Sequence, residues 1–343
     1  MGERTAMSFE MVLTGAGIAS GARRITNEEL ASQVNSSDEW IFKRTGIRTR
    51  YFVEPGQSGV DMARKASQEA LQDAGLQKED LDAIIFATLT PDFAFPGNGV
   101  LLQEALGLST IPALDVRNQC SGFLYGLSVA SAWIRAGMYR RILLVGSEIH
   151  STGLRLDEEG RDVAVLFGDG AGAVVLEARE SESQRSALSW RILTTALGAD
   201  GSGADLLICR RPGSQFHPRV SIQDLEAGRH YPTMEGRQVF RRAVEVLSRE
   251  VEAILETECV DRERVILVPH QSNRRINEMV AQRVGLAEHQ VIHTIERYGN
   301  TTAASIPMAL YHCREERELS PGDILVLAAF GSGLTWGTSL IEI

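Results

Sequence analysis

The feature that most restricts the fold of this chain is an internal repeat. Buried strands and helices rich in small residues recur in the same order, mostly about 180 residues apart. Self-similarity at a fixed offset indicates a duplicated architecture, so we predict an N-terminal half at residues 1–182 and a C-terminal half at residues 183–343. The paired apolar strands are 82–88 with 264–269, 141–147 with 323–329, and 171–177 with 335–343, and the paired helices begin near Cys120 and Asn300.

The alternation of continuous apolar strands with helices predicts the fold class. It indicates a mostly parallel sheet that is covered on both faces. Two such sheets that share buried helices form a layered α/β/α/β/α sandwich, and two separate open α/β domains are the alternative. The short polar segment 177–189 is no Pro/Gly/Ser-rich linker, which favours one compact body. The long irregular stretch 198–231 is typical of a lid or a pocket wall.

Composition excludes several classes of protein. The 343 residues are 43% hydrophobic and 23% charged, as in ordinary globular proteins. No apolar run approaches the roughly 18 residues of a membrane span, and residues 1–10 lack the apolar core of a signal peptide. The four cysteines lack metal-ligand spacing, which predicts a reduced cytoplasmic protein without a zinc site. A net charge of −10 argues against nucleic acid as the main partner.

Cys120 is the strongest candidate for a nucleophile. It separates a short apolar strand, 114–116, from a run of small and apolar residues, 122–134, which has the composition of a buried helix. Cys120 therefore falls at a helix N-terminus, where free N–H groups and the macrodipole favour an anion. We expect an acidified, nucleophilic thiol. A buried structural cysteine is the alternative.

His270 and Asn300 are the second and third candidates. His270 directly follows a buried strand, at the kind of strand end where α/β proteins place their sites, and precedes a predicted helix, 274–284. Asn300, by the repeat, occupies the place in the second half that Cys120 occupies in the first. A packed core histidine and a helix N-cap are the respective structural alternatives. The pseudo-symmetry nevertheless predicts that Cys120 and Asn300 face one pocket.

Two glycine-rich stretches, 167–172 and 330–334, complete the pattern. Neither has the GxGxxG spacing after a strand or the P-loop lysine, so nucleotide-phosphate binding is not predicted. We expect the glycines to permit tight turns and a close approach of backbone to ligand. A backbone N–H of the second stretch is a candidate donor to an oxyanion.

Taken together, these residues resemble the thiolase superfamily, and within it the beta-ketoacyl-acyl carrier protein synthase III family of condensing enzymes. The resemblance covers nearly the whole chain and implies a thiolase-like five-layer α/β/α/β/α sandwich of two duplicated halves. The motifs that carry it are WIFKRTGI from Trp40, FP at Phe95, the segment around Cys120, FGDGAGA from Phe167, HQSN from His270, GNTTAASIP from Gly299 and FGSGLTWG from Phe330.

The resemblance implies a Cys-His-Asn triad of Cys120, His270 and Asn300. In the family, the cysteine takes an acyl group from acyl-CoA, malonyl-carrier protein loses carbon dioxide, and the resulting enolate attacks the acyl-cysteine to give a 3-oxoacyl product. A soft thiolate attacks thioesters and leaves well, and donors from His270 and Asn300 would stabilise the enolate oxygen. The tetrahedral intermediate would use the backbone N–H groups of Cys120 and Ser332, a position where the family usually has glycine.

The resemblance also implies the binding residues and partners. The CoA adenine would lie between Trp40 and Arg161 at a tunnel mouth, and Phe95 would reach into the tunnel of a second copy in a homodimer. Acyl-CoA and an acidic acyl carrier protein are the expected substrates, without cofactor, metal, nucleic acid or membrane. The expected substrate-binding residues are Trp40, Arg44, Arg161, Phe95 and Arg237, and the expected carrier-protein contacts are Arg241, Arg275 and Arg283, on two basic helices that also carry Arg242 and Arg274.

Two departures from the family pattern affect the substrate. Arg237 replaces an asparagine that in the family commonly contacts the pantetheine arm. Residues 117–119 replace small residues, and together with the stretch 198–231 they predict a primer longer than acetyl. The alternatives are a related condensing or acyl-transfer enzyme of secondary metabolism that uses another acceptor, and a non-catalytic subunit that binds acyl-CoA or a carrier protein.

Overall fold

The structure, a computed structural model, describes residues 9–180 and 190–343. The strands are β1 Phe9–Ser20, β2 Arg23–Thr26, β3 Thr49–Phe52, β4 Ala83–Ala87, β5 Ala113–Val116, β6 Arg141–Glu148, β7 Gly170–Glu180, β8 Trp190–Ala199, β9 Leu207–Ile208, β10 Thr233–Met234, β11 Val265–Pro269, β12 Ile324–Gly331 and β13 Thr335–Glu342. The helices are α1 Asn27–Val34, α2 Asp38–Thr45, α3 Gly59–Ala74, α4 Asn98–Ala105, α5 Gly122–Arg135, α6 Arg161–Ala164, α7 Ile222–Glu226, α8 Gly236–Thr257, α9 Arg274–Arg283, α10 Ile295–Tyr298 and α11 Ser305–Glu316.

The sheet shows the predicted duplication in its strand order. Outward from the centre, the first half runs β1-β7-β6-β4-β5 and the second runs β8-β13-β12-β11. In each half one strand, β7 or β13, is antiparallel to both of its neighbours, whereas β4 and β6, like β11 and β12, pair in parallel. Because the pairing of β1 with β8 is also antiparallel, five of the eight pairings that the described residues form in this sheet are antiparallel, and the prediction of a mostly parallel sheet is wrong. The second half has a single parallel bridge, Leu267 to Val291, where the first half has the pairing of β4 with β5.

Both faces of each half are covered, which gives the five layers. In β6, Leu144 belongs to a central apolar cluster with residues of α5 and α11, whereas Leu143 belongs to an outer cluster with residues of α3. In β12, Leu327 belongs to the same central cluster, whereas Val326 belongs to an outer cluster with residues of α8 and α9. Helices α5 and α11 therefore lie between the two half-sheets, and the sandwich predicted for this chain is confirmed.

The two halves are joined rather than separate. Strand β1 pairs with β8 from Met11–Ile192 to Leu13–Trp190, so hydrogen bonding continues from one half-sheet into the other. The alternative of two separate open α/β domains is therefore wrong. The predicted boundary between residues 182 and 183 lies outside the described residues.

Local sequence explains how the outer and inner helices differ. Helix α3 begins with a capping box, in which the Ser58 hydroxyl accepts from the Asp61 N–H and the Asp61 carboxylate accepts from the Ser58 N–H, and it ends at Gly75 in the left-handed conformation. Helix α5 has no such side-chain cap and is apolar on most of its surface, as a helix between two sheets should be. In the described part of the chain, no helix combines the length and apolarity that crossing a bilayer requires.

The stretch 198–231, predicted to be irregular, contains short elements. After β8 a 3₁₀ turn, Gly201–Leu206, leads into β9, which pairs with β10, and α7 follows. Asp224 of α7 is buried and pairs with Arg211 at 3.1 Å and Arg229 at 2.9 Å. Hydrogen bonds from both guanidinium groups hold the pKa of the Asp224 carboxyl far below its usual range. We call this stretch the lid segment.

Candidate active site

Cys120 lies in a tight turn at the start of the central helix. The 3₁₀ turn Gln119–Ser121 directly precedes α5, and Gln119 has a left-handed φ of 46°, which non-glycine residues adopt rarely. Gly331, at the end of β12, packs against this turn. A Cβ at position 331 would lie 2.8 Å from Cβ and 3.2 Å from Sγ of Cys120, so the closeness depends on glycine.

The prediction of an acidified thiol is wrong for the resting protein. The Cys120 side chain is only 7% exposed. Burial, and secondly the nearby Glu148 carboxyl, raise the pKa of the thiol to about 12. The sequence indicated the helix N-terminus but not the burial, and loss of solvent outweighs the favourable backbone N–H groups.

Glu148 is a buried acid that the sequence pattern did not single out. It ends β6 and accepts hydrogen bonds from the Thr90 hydroxyl at 2.6 Å, the Leu89 N–H at 3.1 Å and the Ala303 N–H at 3.4 Å. Burial raises the pKa of this carboxyl to about 7 despite those donors. Glu148 thereby links the ends of β4 and β6 to the loop that follows Asn300.

The repeat is real, but its register differs from the prediction by three residues. Before α11 the chain makes a 3₁₀ turn, Thr302–Ala304, just as Gln119–Ser121 precedes α5. Thr302 and Gln119 share the left-handed conformation, with φ values of 50° and 46°. Cys120 is therefore equivalent to Ala303, and Asn300 precedes its turn instead of standing in it. The two turns pack against each other.

The Asn300 carboxamide is held in one orientation. Its Oδ1 accepts the Thr302 N–H at 2.9 Å, which leaves the Nδ2 group as the side that can donate. The backbone N–H of Asn300 donates to the Leu166 carbonyl at 2.8 Å, and its carbonyl accepts from the Gly168 N–H at 3.1 Å. Asn300 therefore caps the turn with its oxygen while its amide donor stays available.

His270 presents one ring nitrogen without a partner. Its Nδ1 lies 2.6 Å from Oγ of Ser305, the first residue of α11, whereas its Nε2 is buried and has no hydrogen-bond partner within residues 9–180 and 190–343. Burial, and secondly the neighbouring His150, lower the pKa of His270 to about 3. The imidazole is therefore neutral at physiological pH.

Ser332 links the site to the lid segment. Its hydroxyl donates to the Leu207 carbonyl at 2.5 Å, a contact that glycine at this position would lack. Close by, the hydroxyls of Ser121 and Thr335 lie 2.8 Å apart, which ties the nucleophile turn to β13. Strand β12, which ends one residue before Ser332, also packs against that turn.

Trp40, Arg44 and Arg161 come together at the surface. The Arg44 guanidinium carbon lies 4.6 Å from the centroid of the Trp40 ring, and that of Arg161 lies 5.1 Å away. With the Arg161 guanidinium this close to the Trp40 ring, no flat base fits between the two groups. Arg161 therefore has to move outward before a base can stack between it and Trp40. Arg161 is held by a single hydrogen bond to the Asn35 carbonyl, at 3.2 Å, and by a loose pairing with Asp162.

The predicted basic helices pack side by side. Arg275 of α9 lies over the Phe240 ring of α8 at 5.5 Å, and the side chain of Asn273 donates to the Arg44 carbonyl, which places α9 beside Trp40. Arg274 is committed to internal pairs with Glu278 and Glu288, and Arg242 lies 3.9 Å from Asp200. The exposed arginines of these two helices are Arg237, Arg241, Arg249, Arg275 and Arg283, and Arg249 pairs with the adjacent Glu250.

Phe95 faces solvent in this chain. Its side chain is 81% exposed, and Phe93 beside it is 60% exposed. Both belong to a loop that leads into α4, next to β5 at the edge of the sheet. Two large apolar side chains on one loop are an unusual surface for an isolated chain.

Two further residues of the site were missed from the sequence. Asp169 of the FGDGAGA motif is buried and accepts from the His150 N–H at 2.7 Å and the Val53 N–H at 2.8 Å. It thereby fixes the loop after β6, where the His150 ring stacks on Phe167 with 4.4 Å between centroids. The signal for Asp169 is an acid enclosed by glycines, and the signal for His150 is its place just after a buried strand.

Comparison with known families agrees with the motifs. Residues 114–201 match the family model described as 3-oxoacyl-[acyl-carrier-protein (ACP)] synthase III, and residues 255–343 match the model of its C-terminal part. The beta-ketoacyl-[acyl-carrier-protein] synthase III of Erythrobacter litoralis is 40% identical over 331 residues, covering 96% of this chain and 98% of the relative. The protein of the same name from Rhizobium meliloti is 39% identical over 336 residues, covering 96% and 98%.

Solved structures are similar along the whole chain. The crystal structure of 3-oxoacyl-[acyl-carrier-protein] synthase III from Aquifex aeolicus is 35% identical, with a TM-score of 0.86 and coverage of 98% of this chain and 100% of that one. The priming beta-ketosynthase of the R1128 polyketide biosynthetic pathway is 30% identical, with a TM-score of 0.88 and coverage of 100% and 99%.

Proposed function

This chain belongs to the beta-ketoacyl-[acyl-carrier-protein] synthase III family and is a condensing acyltransferase, and from that premise we propose that Cys120, His270 and Asn300 perform the condensation. The reaction joins an acyl group to the two-carbon unit of malonyl-acyl carrier protein. The observation that supports this assignment is a neutral histidine with a bare Nε2 and an asparagine with a free amide donor. The turn that follows Asn300 packs against the turn of the buried thiol, and His270 is hydrogen-bonded to Ser305, at the start of the helix that follows the same turn.

The first half-reaction acylates Cys120. The sulfur attacks the thioester carbonyl of acyl-CoA, its proton passes to Nε2 of His270, and that proton leaves with the CoA thiolate. A thiol with a pKa of about 12 is uncharged at rest, so removal of its proton accompanies the attack. Backbone N–H groups of Cys120 and Ser332 stabilise the tetrahedral oxyanion.

The second half-reaction forms the carbon–carbon bond. Malonyl-carrier protein loses carbon dioxide, and the electron pair of the broken bond becomes an enolate. The enolate oxygen accepts hydrogen bonds from Nε2–H of His270 and Nδ2–H of Asn300. The enolate carbon attacks the acyl-Cys120 carbonyl, the carbon–sulfur bond breaks, and the departing thiolate takes up a proton.

Ser305 lets His270 serve both steps. In acylation Nε2 has to accept a proton, which requires the hydrogen on Nδ1, whereas in condensation Nε2 has to donate, which requires it on Nε2. A hydroxyl can either accept from Nδ1–H or donate to Nδ1, so Ser305 at 2.6 Å is compatible with both tautomers. The low pKa of His270 keeps it from becoming a fixed cation in either step.

Product analysis tests this function directly. We expect 3-oxoacyl-carrier protein and carbon dioxide when the protein is incubated with acyl-CoA and malonyl-carrier protein, as detected by mass spectrometry. We also propose a primer longer than acetyl, so kcat/KM should be higher for octanoyl-CoA than for acetyl-CoA. A preference for acetyl-CoA overturns the chain-length proposal. A product with another acceptor indicates the secondary-metabolism alternative, and binding without any acyl-enzyme indicates the non-catalytic one.

We propose that the exposed arginines of α8 and α9 bind the carrier protein. Arg241, Arg275 and Arg283 have no carboxylate partner within residues 9–180 and 190–343. Helix α9 packs against α8 and contacts α2, which carries Trp40 and Arg44, so a carrier docked on α8 and α9 would approach these residues. Steering by a local basic patch survives an acidic net charge, because the opposing charges more than about 8 Å away are screened at physiological salt.

Charge reversal tests the docking surface. We expect Arg241→Glu combined with Arg275→Glu to raise KM for malonyl-carrier protein about tenfold, with little change in kcat, because the lost interaction is electrostatic and remote from the chemistry. The difference in KM between this variant and the original protein should shrink at high salt. Lys65→Glu makes the same type of reversal on α3, in the opposite outer layer, and should leave KM unchanged. An equal rise in KM for the double arginine variant and for Lys65→Glu contradicts the proposed docking surface.

We also propose a homodimer. β5 is the edge strand of the sheet, and the neighbouring loop exposes Phe93 and Phe95. A second copy that covers this edge would bury both rings and bring Phe95 to the substrate channel of its partner. The acyl-CoA contacts that we propose are Trp40, Arg44 and Arg161, which lie together beside α9, and Arg237, which lies near the start of α8, the helix that packs on α9.

A further inference from the structure

His150 is a buried histidine beside the triad that the two half-reactions above do not use. Its ring stacks on Phe167 with 4.4 Å between centroids and 29° between planes, and its backbone N–H donates to Asp169 at 2.7 Å. The first contact holds the ring and the second holds the backbone of the residue. Burial lowers the pKa of His150 to about 3, so the ring is neutral, and it lies close enough to His270 to affect that residue's pKa as well.

The Nε2 of His150 has one partner, the hydroxyl of Thr302. Thr302 is buried and adopts a left-handed backbone conformation with a φ of 50°. For a β-branched residue that conformation is a genuine outlier, because the branched side chain crowds the backbone. A strained residue of this kind persists only where its surroundings hold it, and the hydrogen bond to His150 is the contact that holds the Thr302 side chain.

The strained position controls the Asn300 carboxamide. The N–H of Thr302 is the group that donates to Oδ1 of Asn300, at 2.9 Å. A change in the Thr302 backbone therefore redirects that N–H and releases the amide. The N–H of the next residue, Ala303, donates to the Glu148 carboxylate. The turn is therefore held at two points: His150 holds the Thr302 side chain, and Glu148 holds the Ala303 backbone.

From this geometry we propose that His150 is a positioning residue for condensation: through Thr302 it holds the Asn300 carboxamide in the orientation that stabilises the enolate. The inference rests on the proposed function of Asn300. His150 touches neither the nucleophile turn nor the acyl group in this scheme, so the acylation half-reaction should not depend on it.

The test measures the two half-reactions separately in three single variants. His150→Phe keeps an aromatic ring against Phe167 but removes the hydrogen bond, and Thr302→Val removes the hydroxyl but keeps the branched shape. We expect each to lower kcat for condensation by about 10- to 100-fold, the usual effect of a small displacement of a reacting group. KM for malonyl-carrier protein and the rate of acyl-Cys120 formation, measured by intact mass, should stay within about twofold. Thr302→Ser, which retains the hydroxyl, should restore most of kcat.

A double-mutant cycle decides whether the two residues act as one unit. The His150→Phe/Thr302→Val protein should lose no more activity than the less active of the two single variants, because both substitutions remove the same hydrogen bond. Additive losses overturn the proposal, and so does an unchanged kcat in His150→Phe. A folded variant whose acylation and condensation fall together also overturns it, because that result indicates a general structural role.

Asn300→Ala serves as the reference in the same assays. If Asn300→Ala condenses normally, the proposed function of Asn300 has failed, whatever His150 does. If Asn300→Ala loses condensation but His150→Phe does not, only the positioning role has failed.

Discussion

Replacement of Cys120 by alanine is expected to abolish both half-reactions. No acyl group should be added to the protein by acyl-CoA, as seen in its intact mass, and the rate of 3-oxoacyl product formation should fall about 10⁴-fold or more. The reason is that the acyl group has no other attachment point in the proposed scheme, and loss of a covalent nucleophile is among the most costly changes an enzyme can undergo.

The chain offers a matched control for that variant. Cys209 is an exposed thiol of the lid segment, and Cys209→Ala should acylate and condense at the rates of the unmodified protein. Both variants remove one thiol, so a difference between them assigns the acyl group to Cys120. An acyl adduct that persists in Cys120→Ala, or that disappears in Cys209→Ala, contradicts the assignment.

The buried thiol shows what the sequence pattern can and cannot predict. The apolar strand, the polar corner and the small-residue helix located Cys120 correctly at the beginning of a central helix. The pattern has no measure of solvent exclusion, and burial reverses the sign of the predicted pKa shift. Strand positions were predictable because a continuous apolar run is a local property of the sequence. The pKa of the thiol was not predictable, because burial depends on which distant segments pack against the run.

The misread register of the repeat has a similar origin. Cys120 and Asn300 stand before similar helices about 180 residues apart, and sequence spacing alone makes them equivalent. The backbone instead matches Gln119 with Thr302, since both carry the left-handed conformation that starts the turn. Neither is glycine, so no residue type marked the turn in advance. His150 was missed for the complementary reason, because its role depends on a contact 152 residues away in sequence.

The lid segment connects substrate choice to the site through a departure from the family pattern. Ser332 donates to the Leu207 carbonyl, and Leu207 begins β9 of that segment. Its side chain thus gives this chain a tether that the usual glycine cannot form, next to the backbone N–H proposed for the oxyanion. The prediction of a longer primer rested on the lid segment and on residues 117–119, and the charge of Arg117 acts on the Cys209 thiol of the lid segment.

Asn300→Ala is expected to have the second largest effect, and it should be confined to condensation. Loss of the Nδ2 donor removes one of two hydrogen bonds to the enolate oxygen, and a missing donor of this type typically costs about 10²–10³ in rate. Acylation of Cys120 uses the backbone N–H groups instead and should proceed at nearly the normal rate. Single-turnover assays with pre-formed acyl-enzyme and malonyl-carrier protein measure the two steps separately.

Asn300→Asp distinguishes the donor from the cap. Aspartate retains an oxygen that can accept the Thr302 N–H, so the turn before α11 should keep its shape. It replaces the Nδ2 donor with a second oxygen, which repels an enolate. We therefore expect Asn300→Asp to condense at least as poorly as Asn300→Ala while it acylates and unfolds like the original protein. Normal condensation by Asn300→Asp would mean that Asn300 only shapes the turn, and that the enolate finds its donors elsewhere.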